Sequence, residues 1–299
     1  MKLTLIVLCF LSCMNHAQGH KSGILTAHLL EPAASHTGTL TILRHGHRLD
    51  TDFYSIARRL IMNDVWVNNE YITREQFEHI QRIDNPEEAQ MYLDSLWRDY
   101  AEVHDFDYWN PPLAPDQTFL RNSIRHRLQN GPLITVIVSS PMTRTLQTLQ
   151  IALQIFDELH LPRPRTQVVD QRLREWHHVI QMAPDHIHWQ PIPGVVDAGH
   201  RLDPAVLQAE STAESRVSHH RRLSALLAEQ HTSANQHTLV IGHLDTLYSV
   251  LLSDPQHTAQ RPDVPTGSYI MLQTLSRSLG KRISDFGIFN ATEAGSVTH

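Results

Sequence analysis

Residues 37–46 read Thr37-Gly38-Thr39-Leu40-Thr41-Ile42-Leu43-Arg44-His45-Gly46, an apolar and β-branched run that stops abruptly at an arginine, a histidine and a glycine. Such a run predicts a strand. The same design returns at Thr238-Leu239-Val240-Ile241-Gly242-His243, and Leu244 to Leu252 continues it as a helix. A third run, Leu133 to Val138 (LITVIV), is continuously apolar, as suits a strand buried on both faces. Ser139-Ser140-Pro141 closes that run, and the helix after it carries Leu146, Leu149, Leu153 and Phe156 at helical spacing. Gln167 to Val169 reads as a short strand, Ser211 to Glu229 as a helix with Val217, Leu223, Leu226 and Leu227 inward, and Ser268 to Leu275 as the last core strand. Strands alternating with helices predict an α/β fold: a three-layer α/β/α sandwich with a mostly parallel central sheet, over about residues 37–290.

The remainder of the chain is read outward from this scaffold. Lys2 followed by the apolar stretch Leu3 to Met14, with Ala17-Gln18-Gly19 behind it, predicts a signal peptide over residues 1–19 and hence a secreted protein. Residues 20–36 are polar and irregular and are expected to be a flexible leader; 291–299 would be a tail. Both cysteines, Cys9 and Cys13, lie in the leading segment, so the mature chain would hold no disulfide and must rely on a packed core. Asn290-Ala291-Thr292 is a glycosylation sequon. The net charge of -6 argues against a nucleic-acid partner, and after removal of the leader no apolar run is long enough to span a membrane. A segment at about 51–110 is inserted after the first strand. Within it Asn85-Pro86-Glu87-Glu88 predicts a helix start, with Ala89, Leu93, Leu96, Trp97, Tyr100 and Val103 recurring at helical spacing.

In open α/β sheets ligands sit beyond the carboxyl ends of the strands, and this is where His45 and His243 fall. Arg144 lies at the opening of the helix after the third strand, where free backbone N–H groups favour an anion. Arg44, Arg48 and Arg144 would converge on the two histidines, presenting planar donor forks that match phosphate oxygens. Massed positive charge disfavours imidazolium, so His45 would stay neutral, as a nucleophile must. Gly46 is expected to let the backbone approach a ligand closely.

Arg44-His45-Gly46 resembles the signature of the histidine phosphatases, also called phosphoglycerate mutase-like proteins. Further matches follow in the family's order. Asn110-Pro111-Pro112-Leu113 resembles a segment usually reading D-x-P-L, and Ser139 to Thr148 is similar to S-S-P-x-x-R-T-x-Q-T. Leu173-Arg174-Glu175-Trp176 resembles the stretch holding the catalytic acid, and Val240 to His243 the second histidine. The second branch of the superfamily carries R-H-G-x-R-x-P, a later H-D pair and usually disulfides. This chain has Asp50 at the proline position and Leu244 after His243, so the first branch is favoured. Within that branch Arg48, the long inserted segment and Glu175-Trp176 look most like the suppressor of T-cell receptor signalling and ecdysteroid-phosphate phosphatase group. His47-Arg48 departs from the Glu-Ser of mutases and from the Glu-Arg common in the nearer relatives.

The resemblance implies a metal-independent phosphomonoester hydrolase that needs no cofactor. His45 would take up the phosphoryl group, Arg44, Arg48, Arg144 and His243 would hold its oxygens, and Glu175, with Asp245 in reserve, would serve as general acid and base. The implied partners are a small-molecule or protein phosphate ester and, for assembly, a second copy in a homodimer. A catalytically silent binding protein on the same scaffold and a second-branch acid phosphatase are the alternatives. His177-His178, His186 with His188 and His219-His220 read as solvated surface rather than as metal ligands. Trp66, Trp97, Trp109, Trp176 and Trp189 all lie in the segments between scaffold elements. They either pack those segments or line an apolar pocket, and the second case predicts aryl or other bulky esters as substrates.

Overall fold

A computed structural model describes residues 38–175, 192–199, 216–230, 236–251 and 265–274. The signal-peptide, leader, tail and sequon readings, and Trp176, Trp189 and the His177, His178, His186 and His188 pairs, lie outside these. The described residues cluster into two compact units, one spanning Leu49–Tyr108 and the other formed by the strand before it and the chain from Trp109 onward.

The Leu49–Tyr108 unit is helical: α1 (Leu49–Asn63), α2 (Arg74–Arg82) and α3 (Pro86–Val103). Each start has a local cause. Asp50 and Asp52 place negative charge in the first turn of α1. Thr73 and Gln76 form a reciprocal capping box on α2. Asn85 accepts from Glu87 N at the start of α3, with Pro86 in the first turn. Phe53, Leu60, Phe77, Ile80, Leu93, Leu96 and Trp97 are buried together. Trp97 stacks on Tyr100, lies against Phe53 and Phe106, and donates its indole N–H to Tyr108 O at 3.1 Å. Trp66 rests on Phe77. For Trp97 and Trp66, therefore, packing within the unit is the reading that holds. Val103, expected on the inward stripe, is 80% exposed because the helix ends there and Ala101 takes the buried position.

The second unit holds a six-stranded sheet of β1 (Gly38–Arg44), β2 (Val136–Ser139), β3 (Thr166–Val169), β4 (Val196–Asp197), β5 (Gln236–Gly242) and β6 (Tyr269–Thr274). The strand order is β4-β3-β2-β5-β1-β6. All neighbours run parallel except β6, which is antiparallel to β1. α4 (Thr118–Asn130) and α5 (Thr143–Glu158) cover one face through Leu120, Ile124, Leu149, Leu153 and Phe156. α6 (Arg216–Gln230) and α7 (Leu244–Leu251) cover the other through Leu223, Leu226, Leu227 and Leu247. This is the three-layer α/β/α sandwich. The apolar run LITVIV is strand only from Val136, and Leu133 is 42% exposed.

Register decides where the site lies. Leu43 pairs with Ile241 and Arg44 with Gly242, while Ser139 pairs with Ile241 from the other side. The carboxyl ends of β1, β5 and β2 are therefore level at one sheet edge. Among the described residues no helix is long and apolar enough to cross a membrane.

Candidate active site

The backbone of His45 is clamped on both sides. Its N–H donates to Gly242 O at 3.0 Å and its carbonyl accepts from Gly267 N at 2.9 Å, while Arg44 N donates to Ser268 O at 2.9 Å. Gly267 makes this turn at φ +80°, in the left-handed region where side chains are strained. Sequence reading did not single out Gly267; the Thr266-Gly267-Ser268 turn signal just before the last strand was the available clue. Behind His45, Gly46 N donates to Thr148 Oγ1 at 3.2 Å. A Cβ on Gly46 would meet Gln117 Oε1 at 2.0 Å and Leu120 Cδ2 at 2.8 Å. The glycine thus admits α4 and its preceding residue, rather than a ligand. Gln117 accepts from His47 N at 3.1 Å and donates to His47 O at 2.9 Å, which fixes the loop from its outer side.

His45 and His243 are buried, with ring centroids 5.3 Å apart and planes at 62°. One phosphate can touch both at that spacing. His45 Nδ1 lies 2.7 Å from Gly46 O. A carbonyl only accepts, so the neutral ring carries its proton on Nδ1 and presents the Nε2 lone pair. His243 Nε2 lies 2.9 Å from Ser140 Oγ.

Arg144 is fully buried at the first turn of α5, and its guanidinium pairs with the Glu175 carboxylate. Asn110 Oδ1 accepts from Thr143 N at 2.9 Å, and Gln147 Oε1 accepts from Leu113 N at 2.6 Å. The Asn110-Pro111-Pro112-Leu113 segment is thereby tied to the start of the arginine-bearing helix. Glu175 follows a 3₁₀ turn, Gln171–Leu173, whose carbonyl at Arg172 and its neighbour at Arg174 accept from Arg222 of α6. Arg48 is half-buried and held by a backbone bridge to Leu113. Asp245 faces α6 instead, with Oδ2 3.7 Å from His219 Nε2. His219 is buried and His220 exposed. Among the described residues no group of three or more His, Cys, Asp or Glu could hold a metal ion.

Burial is the largest effect holding the His45 pKa well below its ordinary value of 6.5, followed by the charges of Arg144 and His243; Glu175 opposes them and Arg44 adds to them. Positive charge, the cause read from the sequence, contributes, but desolvation comes first because the ring has almost no contact with water. The folded state then binds fewer protons than the unfolded chain between the depressed pKa and 6.5. Stability from this residue is full above 6.5 and is lost as pH falls through the window. Urea unfolding from about pH 5 to pH 7.5 should show wild type weakening on the acid side by roughly 1.4 kcal/mol per pH unit more than His45→Gln. Parallel curves would mean that the ring is not held neutral.

A search of curated proteins gives no match. Solved structures with a related chain path include the ecdysone phosphate phosphatase from Bombix mori in complex with tungstate, at 16% identity, covering 86% of this chain and 99% of that one, with a TM-score of 0.40. A phosphoglycerate mutase from Bacillus anthracis is 12% identical over 80% of this chain and 89% of that one, with a TM-score of 0.40. The mycobacterial glucosyl-3-phosphoglycerate phosphatase is 17% identical over 84% and 98%, with a TM-score of 0.38. Likenesses this distant carry no functional inference. The family model of the histidine phosphatase superfamily, branch 1, matches residues 121–279, more than half of the chain. The match begins beyond the helical unit that separates β1 from the remaining strands; it includes Arg144, Glu175 and His243, and β1 brings Arg44 and His45 to them by pairing with β5. With its second histidine, its buried arginine and strands β2 to β6 inside that match, this chain belongs to branch 1 of the histidine phosphatase superfamily.

Proposed function

We propose that this protein is a phosphomonoester hydrolase that works through a phosphohistidine on His45. The observation that carries the reading is the His45 ring itself. It is buried, kept neutral by its surroundings, and fixed by Gly46 O so that Nε2 offers its lone pair beside Arg144 and His243. Nε2 attacks phosphorus in line, the P–O bond to the leaving group breaks, and the three remaining oxygens are held by Arg44, Arg48, Arg144 and His243. Glu175 gives its proton to the leaving oxygen, then takes one from the water that hydrolyses the intermediate, and His45 is regenerated.

Arg144 has a second part in this scheme. Without substrate its guanidinium pairs with the Glu175 carboxylate. A phosphate dianion competes for the same donors and adds negative charge beside the carboxylate, and both effects raise the affinity of Glu175 for a proton. The acid is thus loaded by the substrate that needs it. Glu175→Gln should slow alkyl phosphates by about 10²–10⁴-fold and p-nitrophenyl phosphate far less, since nitrophenolate leaves without a proton. Equal losses on both would remove Glu175 from the acid role and direct attention to Asp245.

The finer reading is of a secreted enzyme for aryl or other bulky esters. The apolar run behind Lys2 supports secretion. In the helical unit Arg74 and Arg82 pair with Glu78, and Arg98 lies 5.2 Å from the Tyr108 ring centre. Those cations are engaged within their own unit, which disfavours a substrate needing them for a second anionic group. Burying one aromatic ring in the site would favour phenyl phosphate over 3-phosphoglycerate by about tenfold to a hundredfold in kcat/KM. Equal or reversed preference would refute the aryl reading while leaving the phosphatase reading intact.

A further inference from the structure

Ser140 is a conspicuous buried group that the scheme above does not use. It is fully buried at the end of β2, and its peptide is held from both sides: its N–H donates to Ile241 O at 3.0 Å, and its carbonyl accepts from Thr145 Oγ1 at 2.7 Å and from Ser139 Oγ at 3.0 Å. This fixes the backbone from which its side chain projects. Among the described residues its hydroxyl has two partners, Met142 N at 3.4 Å and His243 Nε2 at 2.9 Å.

These partners are not equivalent. The amide of Met142 can only donate, so it occupies a lone pair on Oγ. The hydroxyl proton then has one acceptor to point at, the lone pair of His243 Nε2. A hydroxyl donating to Nε2 requires that nitrogen to be unprotonated, which puts the imidazole proton on Nδ1. The ring is further restrained by its own backbone, since His243 N donates to Thr246 Oγ1 at 3.2 Å. The groups around the pair are the His45 ring, Arg144, Glu175 and Arg44, of which three carry or can carry positive charge. A neutral ring at His243 avoids adding a further cation to this buried cluster.

We propose that Ser140 is a positioning residue that holds His243 as the neutral Nδ1–H tautomer, so that the second histidine meets the phosphoryl group as a hydrogen-bond donor of fixed direction and not as a charge. The catalytic consequence rests on the phosphatase reading; the tautomer does not. Without Ser140 the ring can carry its proton on either nitrogen, or on both, and only a fraction of molecules present the donor correctly.

The test uses the full chain labelled with ¹⁵N-histidine, with His243 assigned by its loss in His243→Asn. In wild type at neutral pH, long-range ¹H–¹⁵N correlation should show His243 with a protonated Nδ1 and an unprotonated Nε2; in Ser140→Ala this signature should give way to mixed or Nε2–H forms. An Nε2–H ring or an imidazolium in wild type overturns the proposal, and so does an unchanged signature in Ser140→Ala. These outcomes are read without any substrate, so they are separable from failure of the phosphatase reading. Kinetically, Ser140→Ala should lower kcat on p-nitrophenyl phosphate about tenfold, the scale of one lost hydrogen bond, with little change in KM. In a His243→Asn background the same change should have no further effect. A tenfold loss that persists there would show that Ser140 acts on the fold at large and not through His243.

Discussion

His45→Ala should abolish turnover of p-nitrophenyl phosphate, with a loss of at least about 10⁴-fold, and should leave the protein folded. A large loss follows from the proposed mechanism, in which the attacking lone pair is His45 Nε2, directed by the Nδ1 contact to Gly46 O. Fold survives because the loop is held by backbone contacts that alanine retains, from His45 N to Gly242 O and from Gly267 N to His45 O. Two measurements check this. Steady-state rates compare the purified proteins, and an acid quench during turnover of ³²P-labelled substrate looks for protein-bound label that is acid-labile and base-stable. Label should appear on wild type and be missing from the variant. Retained activity, or label on the variant, would rule out His45 as nucleophile.

The second large effect is expected at Arg144. Arg144→Gln removes a fully buried guanidinium that pairs with Glu175 and, in the proposed mechanism, holds the phosphoryl group. Arginines that stabilise a transferring phosphoryl group contribute about 10³–10⁵-fold, and kcat/KM should fall on that scale. Breaking a buried pair by deleting one partner costs roughly 3–5 kcal/mol, because the other charge is left without compensation. The thermal midpoint should therefore fall clearly. Arg144→Lys separates charge from shape: it keeps the cation but loses the planar fork, and should fold while remaining impaired. His45 supplies an independent readout. Arg144 is the largest charge effect depressing its pKa, so the imidazole should titrate closer to 6.5 in Arg144→Gln. An unmoved His45 titration together with near-normal kcat/KM would place Arg144 outside the phosphate site.

Legibility of the chain depended on whether a signal was local. β1, β5 and α5 were readable because apolar runs and a stripe of period 3.6 end at sharp polar stops. α3 was readable from its cap. α4 was missed: its cap residue Gln117 makes no side-chain capping hydrogen bond, and its buried stripe includes Ser123 and Arg127. Arg127 is buried there because its Nε donates to Thr41 Oγ1 at 2.8 Å and its Nη1 to Pro132 O at 3.1 Å, partners invisible in sequence. α2 did carry a readable signal in Thr73-x-x-Gln76, since its capping box is formed as written. β4 is only two residues long, too short for any period to register.

What the sequence determined by itself is the set of chemical groups and their attachment to strand ends: His45 after β1, His243 after β5, and Arg144 in the first turn of the helix after β2. Local sterics and amphipathic period suffice for that, because they act over a few residues. Only the tertiary structure decided how those groups meet. Pairing of Arg44 with Gly242 and of Ser139 with Ile241 brings three distant segments level. The Gly46 carbonyl selects the His45 lone pair, Ser140 reaches His243, Arg144 pairs with Glu175, and Asp245 lies beside His219. These are choices among partners far apart in the chain, made by register and burial together. A hydrogen bond's direction depends on which atoms face each other, and no pattern along one strand or helix contains that information.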